Sequence, residues 1–162
     1  VHRNTTASSK KLRPGFEWRL NMLRKYLVLL LAVFCLPAFA GTLSVTGAWL
    51  RLLPGDLPLA GYAQITNNTG HTLTLIGASS PAFTDVQLHR SVVHDGMDEM
   101  LHLDAVTIDG GETLDFVPGS YHLMLFGRKH PLVAGQHIDV TLRFSDGMQY
   151  TTEFVVTGAT GR

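Results

Sequence analysis

In Tyr121-His122-Leu123-Met124-Leu125, apolar residues alternate with one histidine and one methionine. An extended chain sends successive side chains to opposite faces, so Tyr121, Leu123 and Leu125 share one face and His122 and Met124 the other. The same reading turns Val86 and Leu88 inward and His89 outward. It also turns Leu101 and Leu103 inward, leaving Met100 and His102 outward. Three separate segments thus place imidazole or thioether opposite their core residues. Thioether is a soft donor with no proton to lose, and with imidazole it favours Cu(I) over hard divalent ions. Zinc recruits Cys, His or carboxylate, and calcium or magnesium needs oxygen. A shallow surface site of His89, Met100, His122 and Met124 would suit Cu(I) and leave the ion open to another protein's ligands.

Most of the remaining histidines and methionines read as ordinary residues. A surface histidine is usually a solvated polar group, and a methionine usually fills a core. That reading covers His94, Met97, His130, His137 and Met148. His102 stands apart because it shares a face with Met100. His71 falls in a turn and receives no role.

The elements that must position these residues are short. No long segment carries a period near 3.6, and helix start and stop signals are missing. Apolar or alternating runs separated by turn residues recur instead, the pattern of an all-β sandwich or barrel. Strands are expected at Leu43–Arg51, Ala60–Thr66, Thr72–Ala78, Asp85–Val93, Glu99–Ile108, Thr113–Val117, Tyr121–Phe126, His137–Phe144 and Gln149–Val156. Turns such as Asp95-Gly96, Pro118-Gly119 and Ser145-Asp146-Gly147 separate them, with glycine supplying positive φ.

Residues 1–40 read differently. From Met22, a basic start at Arg24 and Lys25 leads into an apolar run from Tyr26 to Leu36, and Ala38-Phe39-Ala40 matches a small-x-small cleavage site. This reads as a secretory signal over 22–40, preceded by an upstream extension over 1–21, with Gly41 as the new N-terminus of a domain over 41–162. An uncleaved anchor would need about 20 apolar residues, and a lipid-bearing Cys35 would be preceded by a small residue where Phe34 stands. Export also changes the charge balance. Residues 1–40 hold seven of thirteen basic and one of thirteen acidic residues, leaving six and twelve, a net charge of −6. A surface so depleted of Lys and Arg argues against nucleic acid or anionic lipid, leaving membrane contact to the signal segment alone. The only cysteine departs as well, which removes disulfides, thiol nucleophiles and thiolate metal sites.

With these residues in place, the chain resembles the PCuAC family of periplasmic copper chaperones, whose signature is His, ten residues, Met, twenty-one residues, His-x-Met. His89, Met100, His122 and Met124 reproduce that spacing. A chance match arises on the order of a few times in ten thousand. Ala48-Trp49-Leu50-Arg51, Ala60-Gly61-Tyr62, Asn67-Asn68-Thr69-Gly70, Gly77-Ala78-Ser79-Ser80-Pro81 and Pro118-Gly119-Ser120 are further landmarks. The resemblance implies a cupredoxin-like Greek-key β-sandwich of about eight to nine strands. It implies one Cu(I) near the surface, and delivery to a respiratory oxidase or a Sco-like chaperone. Two features depart from the family. His71-Thr72-Leu73-Thr74 stands where an aspartate is common, and Thr157 to Arg162 lacks the His- and Met-rich tail of many members, which makes a second copper site doubtful.

Other functions fit less well. Blue-copper electron transfer needs a cysteine thiolate. No nucleophile–base or carboxylate pair points to an enzyme. A purely structural sandwich would leave the four-residue spacing a coincidence. Copper storage without delivery remains the alternative, and the domain is expected to work as a monomer.

Overall fold

The computed structural model describes residues 41–160, and every regular element among them is a strand. There are ten: β1 (Leu43–Arg51), β2 (Leu59–Asn67), β3 (Leu73–Ser79), β4 (Phe83–His94), β5 (Met97–Leu103), β6 (Val106–Ile108), β7 (Thr113–Phe116), β8 (Tyr121–Arg128), β9 (His137–Phe144) and β10 (Gln149–Thr157). The signal and extension expected over 1–40 lie outside the described residues. The strands expected at Leu43–Arg51 and His137–Phe144 form with those same bounds, and most others lie within two residues of expectation. The count exceeds eight to nine because Glu99–Ile108 is two strands. At Asp104 and Ala105 the chain leaves β4, the partner of β5, and crosses to β3, the partner of β6. Its apolar alternation changes parity across the crossing, from Leu101 and Leu103 to Val106 and Ile108, and the adjacent Ala105-Val106 is the mark the break leaves in the hydrophobic pattern.

The strand order is β5-β4-β8-β7-β2-β1-β10-β9-β3-β6, with β8 also paired to β2. Strand β1 links the two halves. It runs antiparallel to β2 along most of its length, while Trp49–Arg51 also pairs in parallel with Val155–Thr157 of β10. The register slips between Thr46 and Trp49, where Gly47 takes a φ of 60°. One extra residue there inverts the alternation of β1. Leu43 and Leu50 can therefore both be buried although their positions differ in parity, and Trp49 and Arg51 are turned to the outer face.

Between the halves lies one continuous apolar core. Leu59, Ile65, Val86, Leu88, Leu123, Leu125, Val140, Leu142, Phe154 and Val156 belong to it. Val86 and Leu88 on β4, and Leu123 and Leu125 on β8, are buried as the alternation requires. Burial at roughly 25 cal/mol per Å² over such side chains dominates the stability of the sandwich and holds the inner faces of β4 and β8 in place. Strand β5 contributes only Leu103, which packs against the core margin. The inward reading of Leu101 is thus corrected. It points to the core side of β5, but the β4–β5 hairpin runs past the edge of the sandwich, leaving Leu101 39% exposed.

Asn67, fully buried at the end of β2, ties the two halves together. Its Nδ2 donates to the carbonyls of His71 and Ile108, at 2.8 and 2.9 Å, and its Oδ1 accepts from the Thr69 amide. This is why Asn67-Asn68-Thr69-Gly70 makes a turn. The amide side chain satisfies backbone groups that a short connection leaves unpaired. Asn67→Ala strands those carbonyls in a dry site, and unfolding by denaturant should show a loss of about 3 kcal/mol.

Candidate metal centre

Antiparallel register on the outer face of β5, β4 and β8 assembles the candidate residues. His89 of β4 stands directly opposite His122 of β8 and, on its other side, opposite His102 of β5. The three imidazoles form a row across three strands. Ring centroids lie 5.8 Å apart for His89 and His122, and 5.5 Å apart for His89 and His102. Met124 follows His122 by two residues, opposite Gln87 on β4 and Ala60 on β2. Met100 stands opposite Ser91, two residues beyond His89 in the other direction. The two thioethers therefore flank the imidazole row diagonally, within the 7–8 Å over which long side chains meet across strands. All four sequence-selected residues share one face. His102 shares it too, while Met97 and His94 pair with each other on the opposite face of the hairpin.

The site is less shallow than the sequence implies. His122 is only 3% exposed and His89 is half-buried, whereas Met100 is 62% exposed. A cleft of about 480 Å³ opens over Met100, His122 and Met124, walled by Arg51, Tyr62 and Pro118 among others. Tyr62 and Trp49 explain the burial of His122. Their rings pack at a tilt of 37° with centroids 4.5 Å apart, and the Tyr62 ring lies 6.3 Å from that of His122. Arg51 covers both aromatic rings with its guanidinium, 5.6 Å from Trp49 and 5.4 Å from Tyr62. Burial pushes the Tyr62 hydroxyl up from its ordinary range, and the Arg51 charge partly opposes this. Sequence reasoning gave these three residues no part in the site. Their signal was present in Trp49-x-Arg51 and Ala60-x-Tyr62, which place large groups on the outer face of β1 and β2.

The hydrogen bonds of His122 and His89 decide which nitrogen each ring presents. Nδ1 of His122 lies 3.0 Å from the Ser120 carbonyl oxygen, which can only accept, so Nδ1 carries the proton and Nε2 the lone pair. That carbonyl also accepts from the Ser91 amide, and the Ser120 amide donates to Val117 across Pro118-Gly119. Proline followed by Gly119 at φ 82° is a type II turn, and a side chain at Gly119 would strain it. The ring of His89 is bonded through Nε2 to the Gln87 side chain at 3.0 Å. Among the described residues, the buried side-chain nitrogens and oxygens lacking any partner are Arg51 Nε, His89 Nδ1 and His122 Nε2. Two of these three are imidazole nitrogens in the same row.

A buried acceptor without a donor costs about 1–3 kcal/mol, so two in one cluster need a reason. A metal ion taking both lone pairs would supply one, with the opposite nitrogens held by hydrogen bonds as in known metal-histidine sites. Among the described residues, no group of three or more His, Cys, Asp or Glu is arranged to hold a metal ion. The other candidate donors on this face include the thioethers of Met100 and Met124, soft groups that would suit a soft metal. His102 is more exposed, and its outer nitrogen lies 3.8 Å from Asp104.

Comparison with known proteins agrees with this architecture. Residues 43–156 match the family described as "Putative lipoprotein LpqE-like". A protein of Leifsonia xyli subsp. xyli named "Putative lipoprotein Lxx21020" is 39% identical over 120 residues, which cover 69% of this chain and 72% of that one. The copper-bound PCuAC domain from PmoF2 is 23% identical, with a TM-score of 0.61 over 74% of this chain and 95% of that domain. The Cu(I) form of DR1885 from Deinococcus radiodurans is 28% identical, with a TM-score of 0.57 over 78% and 82% of the two chains. The fold of this chain is the cupredoxin-like β-sandwich of those PCuAC domains.

The electrostatics of His89 give a pH test. Burial, then the neighbouring rings of His122 and His102, hold it below the ordinary value of 6.5. Below 6.5 the unfolded chain takes up that proton more readily than the folded one, so stability contributed by neutral His89 is present above this value and lost as pH falls toward the lowered one. The melting temperature of the metal-free protein should fall between about pH 7.5 and about pH 5, and His89→Gln should flatten that fall.

Proposed function

The chain belongs to the LpqE-like family, and from that membership, the shared sandwich and the donor set we propose that it is an exported Cu(I) metallochaperone. One observation carries the reading: two buried imidazole nitrogens without partners lie in one row, flanked on the same face by two thioethers. His89 and His122 would hold Cu(I) through their free nitrogens, and Met100 and Met124 would complete its shell. The ion is cargo, not a resident catalyst, and we assign the chain no enzymatic activity.

The geometry favours hand-over from one side. His122 is enclosed by Tyr62 and the Pro118–Ser120 turn, while Met100 stands in solvent on the edge strand. A recipient's ligand can approach next to Met100 while the imidazoles still grip the ion. Displacement one donor at a time keeps Cu(I) coordinated throughout, which is what delivery requires. Recipients of the implied kind are a respiratory oxidase subunit or its Sco-like assembly factor. Storage is the second reading, and the exposure of Met100 favours delivery over it.

Export rests on the segment 22–40 and on the lipoprotein description of the family. Cleavage after Ala40 would release a soluble domain. A lipid on Cys35, which the family description favours as the alternative, would tether the same domain to a membrane. The mass of the exported protein distinguishes a chain starting at Gly41 from one starting at an acylated Cys35.

Competition with a chromophoric Cu(I) chelator under reducing conditions tests the central claim. One equivalent should be held, with Zn(II) and Ca(II) ignored. Met124→Leu should weaken Cu(I) by more than about tenfold, since even groups that only support a ligand cost that much. The Leu-for-Met exchange should change stability by less than about 1.5 kcal/mol, and His102→Gln should weaken binding far less. Parent-like Cu(I) affinity in Met124→Leu would remove Met124 from the ligand set.

A further inference from the structure

Asp85, Gln87 and His89 alternate along β4 and therefore stand in line on its outer face. Nε2 of Gln87 donates to Oδ2 of Asp85 at 2.6 Å, and Oε1 of Gln87 lies 3.0 Å from Nε2 of His89. We propose that this relay makes Gln87 a positioning residue that fixes the tautomer and ring orientation of His89, so that His89 binds metal through Nδ1. The metal-binding role of His89 rests on the Cu(I) reading above, whereas its tautomer does not.

The direction of each bond follows from what its atoms can do. An ionised carboxylate only accepts, so the group of Gln87 facing Asp85 is its NH2. That leaves the carbonyl oxygen facing His89, and a carbonyl oxygen also only accepts. Nε2 of His89 must then carry the proton, and a neutral imidazole has one N–H, so Nδ1 holds the lone pair. Nδ1 is the atom found buried without a partner. Asp85 thus matters although it never reaches the ring. Without it the Gln87 amide could turn over and present NH2 to His89, which would favour the opposite tautomer.

The two histidines are held by different means. His122 is oriented by a backbone carbonyl within a hydrogen-bonded turn and presents Nε2. His89 is oriented by a side chain and presents Nδ1. In the imidazole ring Nδ1 adjoins the carbon that bears the side chain, and Nε2 does not. The β4 donor is therefore held nearer its own backbone than the β8 donor. Gln87 also stands opposite Met124, so one side chain supports a histidine of one strand beside the thioether of the next.

Nitrogen-15 NMR of the histidine rings in the metal-free protein, at a pH where His89 is neutral, reads the relay directly. The parent should show His89 as a single tautomer with a proton on Nε2 that exchanges slowly with water. In Gln87→Leu that proton should lose its protection and the ring should sample more than one state. Gln87→Glu combined with Asp85→Asn, in which the Asn amide donates to the carboxylate and the carboxylate still accepts from Nε2, should restore the parent pattern. Cu(I) affinity should fall 10–100-fold in Gln87→Leu and recover in the Asp85→Asn, Gln87→Glu pair. A parent lacking the Nε2 proton, a Gln87→Leu spectrum unchanged at His89, or unchanged affinity in a variant of a Cu(I)-binding parent would each overturn the proposal. A parent that holds no Cu(I) would instead count against the chaperone reading, and the ring spectra alone would then decide the relay.

Discussion

The antiparallel ladder between β4 and β8 sets His89 opposite His122, and almost everything else at the site depends on that register. The ladder is anchored from below. Val86 and Leu88 on one strand and Leu123 and Leu125 on the other are buried in the core, so neither strand can slip without turning apolar groups to water. A slip of one residue would also send His122 inward and Leu123 outward. The same burial that stabilises the sandwich therefore fixes which donors face each other on its outer surface. Strand β5 extends the row by pairing with the free side of β4, adding Met100 and His102 with little core of its own.

Above that ladder, the polar groups are arranged so that His89 and His122 each keep one nitrogen bonded and one free. Ser120 holds Nδ1 of His122 and Gln87 holds Nε2 of His89, while the other nitrogen of each ring meets no protein partner. Structures usually satisfy buried acceptors, and each exception calls for an explanation, of which a bound ion is one. The aromatic pair Trp49 and Tyr62, capped by Arg51, excludes water from one side of the row. The open side belongs to Met100. A thioether tolerates exposure without titrating, which suits it to the position where cargo would enter and leave.

Much of the fold could be read from alternation and turn chemistry. His137–Phe144 lies between Gly135 and the turn Ser145-Asp146-Gly147, and its bounds are legible for that reason. The crossing at Asp104 leaves only a change of parity between Leu103 and Val106, which a bulge within one strand would also produce, and the change of partner from β4 to β3 joins residues distant in the chain. Leu101 was misjudged on similar grounds. Parity gives the side a residue points to, but whether that side is covered depends on how far the hairpin outruns the sandwich. His122 shows the converse. Its outward direction followed from parity, while its burial came from Tyr62, sixty residues away in the chain.

By itself the sequence determined the all-β class, the faces on which His89, Met100, His122 and Met124 lie, and the soft character of that donor set. These are local properties, set by the two-residue period of a strand and by the chemistry of each side chain. Only the tertiary structure decided that the three strands are neighbours, that His89 faces His122, and that Met97 falls on the far side of the hairpin. It also decided which imidazole nitrogens are free. Pairing partners and buried hydrogen bonds join residues distant in the chain, and they follow from how the core closes and not from any one segment.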